Sequence, residues 1–235
     1  MKKVAILQSN YIPWKGVFDM INQVDIFVFH EDVQYTKGDW RNRNRIKTPN
    51  GLEWLTAPVK KAPTESRILE IEISNEVNWQ QNHYNKIIQN YSKAPFLKEY
   101  HFMLEDIYLK NKWTNLSQFN IYITKLIANV LGIKTEFIDS IELKTVGVKD
   151  DKVIDICKQL DATCYLSGPA AKGYITEDKF REANIGLEYI KYEYPEYKQL
   201  YGDFNHYVSV LDVIFNCGKD SPKYIFQNKF EKIIL

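Results

Sequence analysis

Cysteine and histidine are scarce in this chain, with 3 and 4 residues among its 235. The cysteines, Cys157, Cys164 and Cys217, are an odd number without a CxxC pair, so the sequence predicts neither a disulfide framework nor a zinc knuckle. No histidine has another at the helical i+4 position that would make a metal-binding pair. We therefore expect no bound metal, and cysteines that behave as small buried apolar residues.

An excess of charge of one sign and long hydrophobic runs are also missing. Lys and Arg total 31 and Asp and Glu total 30, which leaves a net charge of +1 and no global basic field for nucleic acid. No apolar run approaches the roughly 20 residues of a membrane-spanning helix. The first residues lack the long hydrophobic region and the cleavage site of a signal peptide. We expect a cytoplasmic protein that neither inserts into a membrane nor binds nucleic acid.

Three common signatures of catalytic sites are absent as well. The chain has no GxGxxG dinucleotide fingerprint, and Lys172 is not preceded by glycine at the offset of a phosphate-binding loop. Ser167 lies outside any GxSxG turn, which argues against a serine hydrolase. No permanently bound cofactor is expected.

The first 30 residues have the pattern of strand, helix and strand. Residues 4–7 and 26–29 are continuous apolar runs, typical of strands buried on both faces, and residues 15–23 have helical spacing. A helical crossover of this kind favours parallel strands in a right-handed unit. The rest of the chain predicts strands at 54–59, 70–73, 135–138, 163–166 and 187–192, and helices at 150–160, 176–183, 207–216 and 221–233.

Residues 79–131 differ from the rest of the chain. They contain no glycine and one proline, and apolar residues recur at helical spacing, so we expect three helices that end at Gly132. The sequence therefore predicts a single α/β domain over residues 1–235, with a Rossmann-like parallel sheet and a helical insertion at 79–131. Ligands bind outside the carboxyl ends of such strands, which directs attention to the polar loops 8–14, 30–47 and 167–174.

The loop at 8–14 carries two amides and two aromatic side chains. Gln8 and Asn10 can read the edge of a base or a sugar, and Tyr11 and Trp14 can stack on its face. The alternative is a turn that satisfies its own backbone, with Trp14 packed inside.

In the loop at 30–47, basic residues alternate at Arg41, Arg43, Arg45 and Lys47. In an extended chain they point to one side, and guanidinium groups bind phosphate oxygens in pairs, so a pyrophosphate is a sensible ligand. The alternatives are a solvated basic edge strand and, with weak support on a neutral chain, nucleic acid. Gln34 is a further candidate for substrate binding.

Four other places offer candidate side chains. Asp32, at the end of a strand, can orient a base or accept a hydrogen bond from a sugar hydroxyl, and His83 is of the type that removes an ammonium proton. The small-residue turn at Ser167 and Gly168 lets backbone N–H groups approach an anion. The remaining candidates for substrate binding are Lys172, Tyr174 and Asp212, the last on a polar helix stripe that is alternatively a hydrated face.

Several of these motifs, in this order, resemble the WbqC-like family over nearly the whole chain. They are Gln8-Ser-Asn-Tyr-Ile-Pro-Trp14 with Gly16 and Phe18-Asp19, Asp32-Val-Gln-Tyr35, Asn42-Arg-Asn-Arg-Ile46, Trp54-Leu-Thr56, His83, Tyr165-Leu-Ser-Gly168, Tyr197-x-Gln199, and Ser209-Val-Leu-Asp212 with Phe215-Asn216-x-Gly218. Two departures are Ser9, where the family usually has proline, and His30-Glu31 before Asp32.

The resemblance implies a role in making O-antigen or another surface polysaccharide, with glycyl or acyl transfer to an amino sugar. The family-motif positions are Gln8, Asn10, Trp14, Asp32, Arg43, Arg45, His83, Ser167 and Asp212. A weaker likeness links the first 35 residues to adenylate-forming nucleotidyl transferases such as pantothenate synthetases. Their histidine pair is absent here, because residues 13–16 read Pro-Trp-Lys-Gly.

Three hypotheses follow from the sequence. The first is an N-acyl or aminoacyl transferase that acts on a nucleotide-linked amino sugar, with a coenzyme A or carrier-protein thioester as donor and an acyl carrier protein as a possible partner. His83 is then the predicted base and Ser167-Gly168 the oxyanion site. The second is an adenylate-forming ligase or nucleotidyl transferase, and the third is a non-catalytic module that binds nucleotide sugars. The oligomeric state is open.

Overall fold

The computed structural model describes residues 1–234, which form eight strands and eight helices linked by turns and short 3-10 segments. The strands are β1 Lys3–Leu7, β2 Ile26–Phe29, β3 Arg43–Thr48, β4 Gly51–Thr56, β5 Glu136–Asp139, β6 Cys164–Ser167, β7 Gly186–Ile190 and β8 Phe230–Ile234. The helices are α1 Lys15–Asn22, α2 Trp79–Tyr91, α3 Leu97–Tyr108, α4 Leu116–Val130, α5 Asp150–Gln159, α6 Glu177–Glu182, α7 Val210–Cys217 and α8 Ser221–Ile225.

Six strands form the central sheet, in the order β5-β2-β1-β6-β7-β8. The first five are parallel, and β8 is antiparallel to β7. The chain leaves β1 toward β2 on one side and later returns to β6 on the other, so β1 borders the point where the strand order reverses. The predicted Rossmann-like α/β fold is confirmed.

The central strands are buried on both faces because their side chains alternate between two cores. Ala5, Phe27 and Leu166 pack in one core, with α1, α2, α3, α4 and α7. Val4 and Tyr165 pack in the other, with α5 and α6. The continuous apolar run at residues 4–7 is thus explained by helices on both sides of the strand.

Outside the sheet, β3 and β4 form an antiparallel hairpin whose turn contains Gly51 at φ 103°. Its register places Arg45 opposite Trp54. The hairpin is attached to the chain's last third, because the N–H of Ser209 donates to the carbonyl of Arg45 at 2.9 Å. The N–H of Val210 likewise donates to the carbonyl of Pro13 at 2.9 Å, so the start of α7 joins the hairpin and the loop at 8–14.

The three helices predicted within residues 79–131 are present as α2, α3 and α4. The α4 helix is followed by Gly132 at φ 77°, a backbone conformation that glycine adopts without strain. Across the described part of the chain, no helix has the length and apolar character needed to cross a membrane. In the same residues, His, Cys, Asp and Glu side chains form no group of three that could hold a metal ion.

Two predicted elements are wrong. Residues 70–73 are not a strand: Ile68–Glu70 is a 3-10 turn, and Glu72 and Ile73 make only isolated bridges. The helix predicted at 221–233 stops at Ile225, and β8 follows. Phe226 has extended backbone angles, and the Asp19 carboxylate accepts the N–H of Gln227, so these residues leave the helix and turn toward the sheet edge.

The strand predicted at 54–59 begins earlier and ends earlier, as β4. Pro58 lies just beyond its end, which fits the lack of a donor in proline.

Candidate functional site

Two cavities open at the carboxyl end of β1, and Leu7 lines both. We call the first the Trp14 cavity. Its volume is about 340 Å³, and it is lined by Leu7, Asn10, Pro13, Trp14, Val17, Trp40, Arg41, Asn44, Tyr192 and Tyr207. We call the second the His30 cavity. Its volume is about 370 Å³, and it is lined by Ile6, Leu7, Gln8, His30, Lys149, Asp150, Val153, Tyr165, Tyr174, Ile175 and Phe180.

The loop at 8–14 that separates the cavities is fixed by hydrogen bonds to its neighbours. The N–H of Tyr11 donates to the carbonyl of Trp40 at 2.9 Å. The Asn44 amide donates to the carbonyls of Tyr11 and Ile12, at 3.2 and 2.7 Å. Ile12 sits at φ 40°, a strained conformation that these contacts stabilise. The loop is therefore held in one shape before any ligand arrives.

Trp14 forms an aromatic wall of its cavity. Its ring meets Tyr192 edge-on at 4.9 Å and Tyr194 at 5.9 Å between centroids. Gly16 makes room for the indole, because a Cβ at that position would lie 2.3 Å from the Trp14 ring. The Gly16 of the family motif therefore has a steric reason.

Arginine and tryptophan side chains stack at the edge of the Trp14 cavity. The Arg43 guanidinium lies 4.4 Å from the Trp54 ring centroid, and Arg45 lies 5.0 Å from Trp54 and 5.5 Å from Trp40. Arg45 is also 5.8 Å from the Tyr207 ring. We call this set the Arg-Trp cluster: Arg43, Arg45, Trp40, Trp54 and Tyr207.

Several polar atoms of this cluster, and of Arg41 and Asn10 in the adjoining cavity wall, make no hydrogen bond to the described residues. Among residues 1–234, the Nε atoms of Arg41, Arg43 and Arg45 are buried without a hydrogen-bond partner. The Asn10 Oδ1, beside them in the cavity wall, is likewise without a partner there. Arg41 contacts Asp39, with its Nη1 3.0 Å from the carboxylate Oδ2. Trp40 is 43% exposed and Trp54 is 40% exposed. Together with the arginines they form a surface suited to a flat, anionic ligand.

The structure places Tyr11 and His83 in the core and outside the lining of either cavity. The Tyr11 hydroxyl lies 2.7 Å from His83 Nδ1 and 2.6 Å from the Tyr108 hydroxyl. Burial, followed by the charge of Lys86, lowers the pKa of His83 to about 4. The imidazole is therefore neutral at pH 7. This arrangement favours a positioning role for His83 through Tyr11, and its role as a base stays a prediction.

Asp212 is also buried, beneath the hairpin. It accepts hydrogen bonds from the hydroxyls of Tyr91, at 2.9 Å, and Tyr197, at 2.7 Å. Burial raises the pKa of Asp212, and these tyrosine hydrogen bonds oppose the rise. The Tyr91 hydroxyl also accepts the N–H of Lys47 at 3.1 Å, so Asp212 supports β3 from below. It does not line either cavity.

Asp32 lies near the His30 cavity but is occupied by other groups. It pairs with Lys152 and accepts a hydrogen bond from the Ser140 hydroxyl at 2.8 Å. Burial raises the pKa of Asp32, but the hydrogen bonds from Lys152 and Ser140 outweigh burial and lower it. The carboxylate is therefore ionised at neutral pH. The Gln34 amide donates to the carbonyl of Thr64 at the surface, away from both cavities.

The turn after β6 approaches one residue of each cavity but lines neither. The Ser167 hydroxyl donates to the Tyr165 hydroxyl at 3.3 Å on the side of the His30 cavity. A Cβ on Gly168 would lie 3.7 Å from the hydroxyl of Tyr192, which lines the Trp14 cavity. Lys172 pairs with the exposed Glu231 at 2.8 Å.

The structure thus brings together only part of the predicted set. The Trp14 cavity is lined by Asn10, Trp14 and Arg41, with Arg43 and Arg45 at its edge. The His30 cavity is lined by Gln8 and Tyr174. Three candidates are buried outside both cavities, Tyr11, His83 and Asp212, and five others line neither cavity: Asp32, Gln34, Ser167, Gly168 and Lys172.

Sequence reasoning missed Trp40, Asn44, Tyr192 and Tyr207 as cavity residues. Asn44 lies between Arg43 and Arg45 on β3, so its side chain points to the opposite side of the strand from theirs. On that side it contacts the loop at 8–14, which the sequence had already marked as a candidate site. Tyr192 and Tyr207 lie in segments with no local motif, and only the folded chain brings them to the cavity.

Comparison with known proteins identifies a family and a relative. Residues 8–224 match the model of the WbqC-like protein family. A protein of Mycobacterium tuberculosis (strain ATCC 25618 / H37Rv), named "Uncharacterized protein Rv1507c", is 44% identical over 227 residues, which cover 96% of this chain and 98% of the relative. No solved structure gives a significant match. The chain belongs to the WbqC-like protein family.

Proposed function

We propose that this protein is a transferase of surface-polysaccharide biosynthesis. It binds a nucleotide-linked amino sugar in the Trp14 cavity and transfers an acyl or aminoacyl group, such as glycyl, to the sugar amine. The observation that carries the proposal is the Arg-Trp cluster, in which Arg43 and Arg45 keep unpartnered Nε atoms beside a cavity of aromatic rings and amides.

The ligand's parts fit the chemistry of this surface. Guanidinium groups bind the oxygens of a diphosphate in paired, charge-assisted hydrogen bonds. Trp40 and Trp54 keep part of their surface exposed beside the arginines that lie over their rings, and that exposed part can contact a nucleobase. Inside the cavity, the unpartnered Oδ1 of Asn10 can accept a hydrogen bond from a sugar hydroxyl or amine.

The reaction forms an amide. The sugar amine attacks the carbonyl carbon of a thioester, a C–N bond forms, and the C–S bond breaks. The proton lost by nitrogen ends on the departing thiol, and His83 remains the predicted carrier of that proton. Because His83 lines neither cavity and its Nδ1 contacts the Tyr11 hydroxyl, His83→Gln is compared with Tyr11→Phe: equal losses of turnover would indicate a positioning role, and a loss confined to His83→Gln would support proton transfer.

Isothermal titration with a panel of nucleotide sugars tests the binding step. Arg45→Ala should weaken binding by about tenfold or more, because a charge-assisted hydrogen bond contributes roughly 1.5–3 kcal/mol. Arg181→Ala is the matched control, since Arg181 is exposed on α6 and lines neither cavity. Equal affinities for both variants and the wild type would contradict the assignment of the site.

The turnover step needs a separate measurement. The wild type is mixed with a nucleotide-linked amino sugar that binds and with acyl thioester or ATP plus the free acid, and the amide product is followed by mass spectrometry. Binding without product under all donors would favour a non-catalytic nucleotide-sugar module. That alternative is favoured by the burial of His83, which is hydrogen-bonded to Tyr11 and lines neither cavity.

A further inference from the structure

The His30 cavity lies on the other face of the sheet from the Trp14 cavity. Ile6 and Tyr165 belong to the core that packs against α5 and α6, whereas Val17, in the Trp14 cavity, belongs to the opposite core. The two cavities approach each other at Leu7, where β1 ends. This is the switch point of the strand order, a position where α/β sheets bind ligands.

We propose that the His30 cavity binds the adenosine phosphate part of an acyl donor. Donor and acceptor then approach from opposite faces of the sheet and meet where β1 ends. The inference rests on the proposed transferase function, and the experiment below separates the two.

A buried hydroxyl without a hydrogen-bond partner lies in the core beside this cavity. Tyr189 is 1% exposed, yet its hydroxyl has no hydrogen-bond partner among the described residues. Burial raises the pKa of Tyr189, and the charges of Glu177 and Asp150 and the nearby Tyr174 raise it further. Tyr189 does not line the cavity itself, but it packs in the same core as Tyr165 and Phe180, which do.

A second unpartnered group, His30, lines the cavity itself. Its Nε2 is buried and has no hydrogen bond within residues 1–234, and the nearest carboxylate oxygen, of Asp32, is 3.7 Å away. Burial and the charge of Lys152 lower the pKa of His30 to about 4, against the opposing effect of Asp32. The neutral ring offers one donor and one acceptor to a ribose or a base.

Lys149 supplies the positive charge at this cavity. It precedes α5 at φ 51° and ψ −125°, a conformation rare for a residue with a side chain, and no side chain caps the helix. A phosphate beside Lys149 would meet its ammonium group, while the Asp150 carboxylate in the same lining accepts the N–H of Thr176 at 3.0 Å.

The remaining walls suit the rest of the ligand. Ile6, Val153 and Phe180 are apolar and can enclose a flat base, and the hydroxyl of Tyr165 lies among them. Two forms of activated carboxylic acid carry a base, a ribose and a phosphate together: the coenzyme A thioester and the acyl adenylate. Their shared adenosine phosphate is the chemistry that the cavity would recognise.

Both donors give a balanced reaction at the meeting point of the cavities. With the thioester, the amine nitrogen forms a C–N bond, the C–S bond breaks and coenzyme A leaves as the thiol with the displaced proton. With the adenylate, made from ATP and the free acid with release of pyrophosphate, the amine nitrogen forms the same C–N bond. The bond between the carbonyl carbon and the phosphate oxygen breaks, AMP leaves, and the displaced proton passes to solvent.

The test titrates the full-length protein with ATP and, separately, with coenzyme A. One of them should bind at the His30 cavity, in a manner that depends on Lys149, and the result identifies the donor. Lys149→Gly should weaken that binding by about tenfold, because it removes a charge-assisted contact. Glycine adopts the Lys149 backbone angles readily, so the fold is retained. Lys98→Ala, an exposed lysine on α3, is the matched control and should bind as the wild type does.

A second variant, Val153→Trp, fills the cavity and should also weaken that binding by about tenfold or more. The inference is overturned if neither ATP nor coenzyme A binds, or if Lys149→Gly and Val153→Trp both bind as tightly as the wild type. Nucleotide binding that depends on Lys149, without amide formation from any amino sugar, would instead refute the proposed function and leave the cavity assignment standing.

Discussion

Replacement of His83 gives a sharp test of the buried hydrogen-bond set formed by Tyr11, His83 and Tyr108. The imidazole is 9% exposed, and its pKa falls from 6.5 to about 4 on folding. The unfolded chain therefore binds a proton at His83 more tightly than the folded chain does. The stability from the neutral ring is complete above pH 6.5 and is lost as the pH falls toward 4.

The magnitude follows from the size of the pKa difference. A shift of about 2.5 units corresponds to about 3 kcal/mol below pH 4, and about 2 kcal/mol of it is already lost at pH 5. Urea unfolding at pH 7.5 and pH 5 should show this loss in the wild type. His83→Gln should lose about 2 kcal/mol less between the two pH values, although it is less stable than the wild type at pH 7.5.

Tyr108→Phe is the control for this experiment. It removes a hydrogen bond from the same set without removing the titrating ring, so it should lower the free energy of unfolding by a similar amount at both pH values. If His83→Gln and the wild type lose stability in parallel between pH 7.5 and 5, the assignment of a buried neutral imidazole is refuted.

Three other predictions concern the supports of the site. Gly218→Ala should lower stability by about 2–4 kcal/mol in thermal unfolding, because Gly218 is at φ 56° and a Cβ would lie 2.4 Å from the Phe96 ring; an unchanged melting temperature would contradict this. Tyr91→Phe should cost about 1–3 kcal/mol in urea unfolding, since it leaves the buried Asp212 carboxylate with one donor fewer, and no loss would count against that network. Trp54→Ala should keep the wild-type melting temperature within a few degrees but weaken nucleotide-sugar binding, measured by titration; undiminished affinity would remove the stacking argument.

The sequence predicts the central fold well because its signal is local. The apolar run at residues 4–7 and the helical spacing in residues 79–131 each reflect burial of that element's own side chains. The final strand, β8, could not be found in this way. It is a strand because it pairs with the edge strand β7, and the residue pattern within 221–233 does not show that this pairing occurs.

Part of the candidate site could also be predicted from the sequence, because the ends of the buried strands could be located. The rule that ligands bind beyond the carboxyl ends of parallel strands led to Asn10 and Trp14, which do line a cavity. His83 was harder, because its spacing with Trp79, Ile87 and Tyr91 already marks a buried helix face, and only the folded structure shows Tyr11 opposite it. Tyr192 and Tyr207 reach the cavity through contacts distant in sequence.

The junction at the start of α7 has a consequence for how the protein matures during synthesis. Ser209 and Val210 hold the hairpin and the first loop in place, although they are made long after Arg45 and Pro13 leave the ribosome. Contacts between residues so far apart in sequence form slowly. The aromatic surface of the N-terminal half therefore stays exposed until these contacts form. A nascent chain halted before residue 209 would thus be open to chaperones and proteases, and binding competence would arrive only once Ser209 and Val210 have been made.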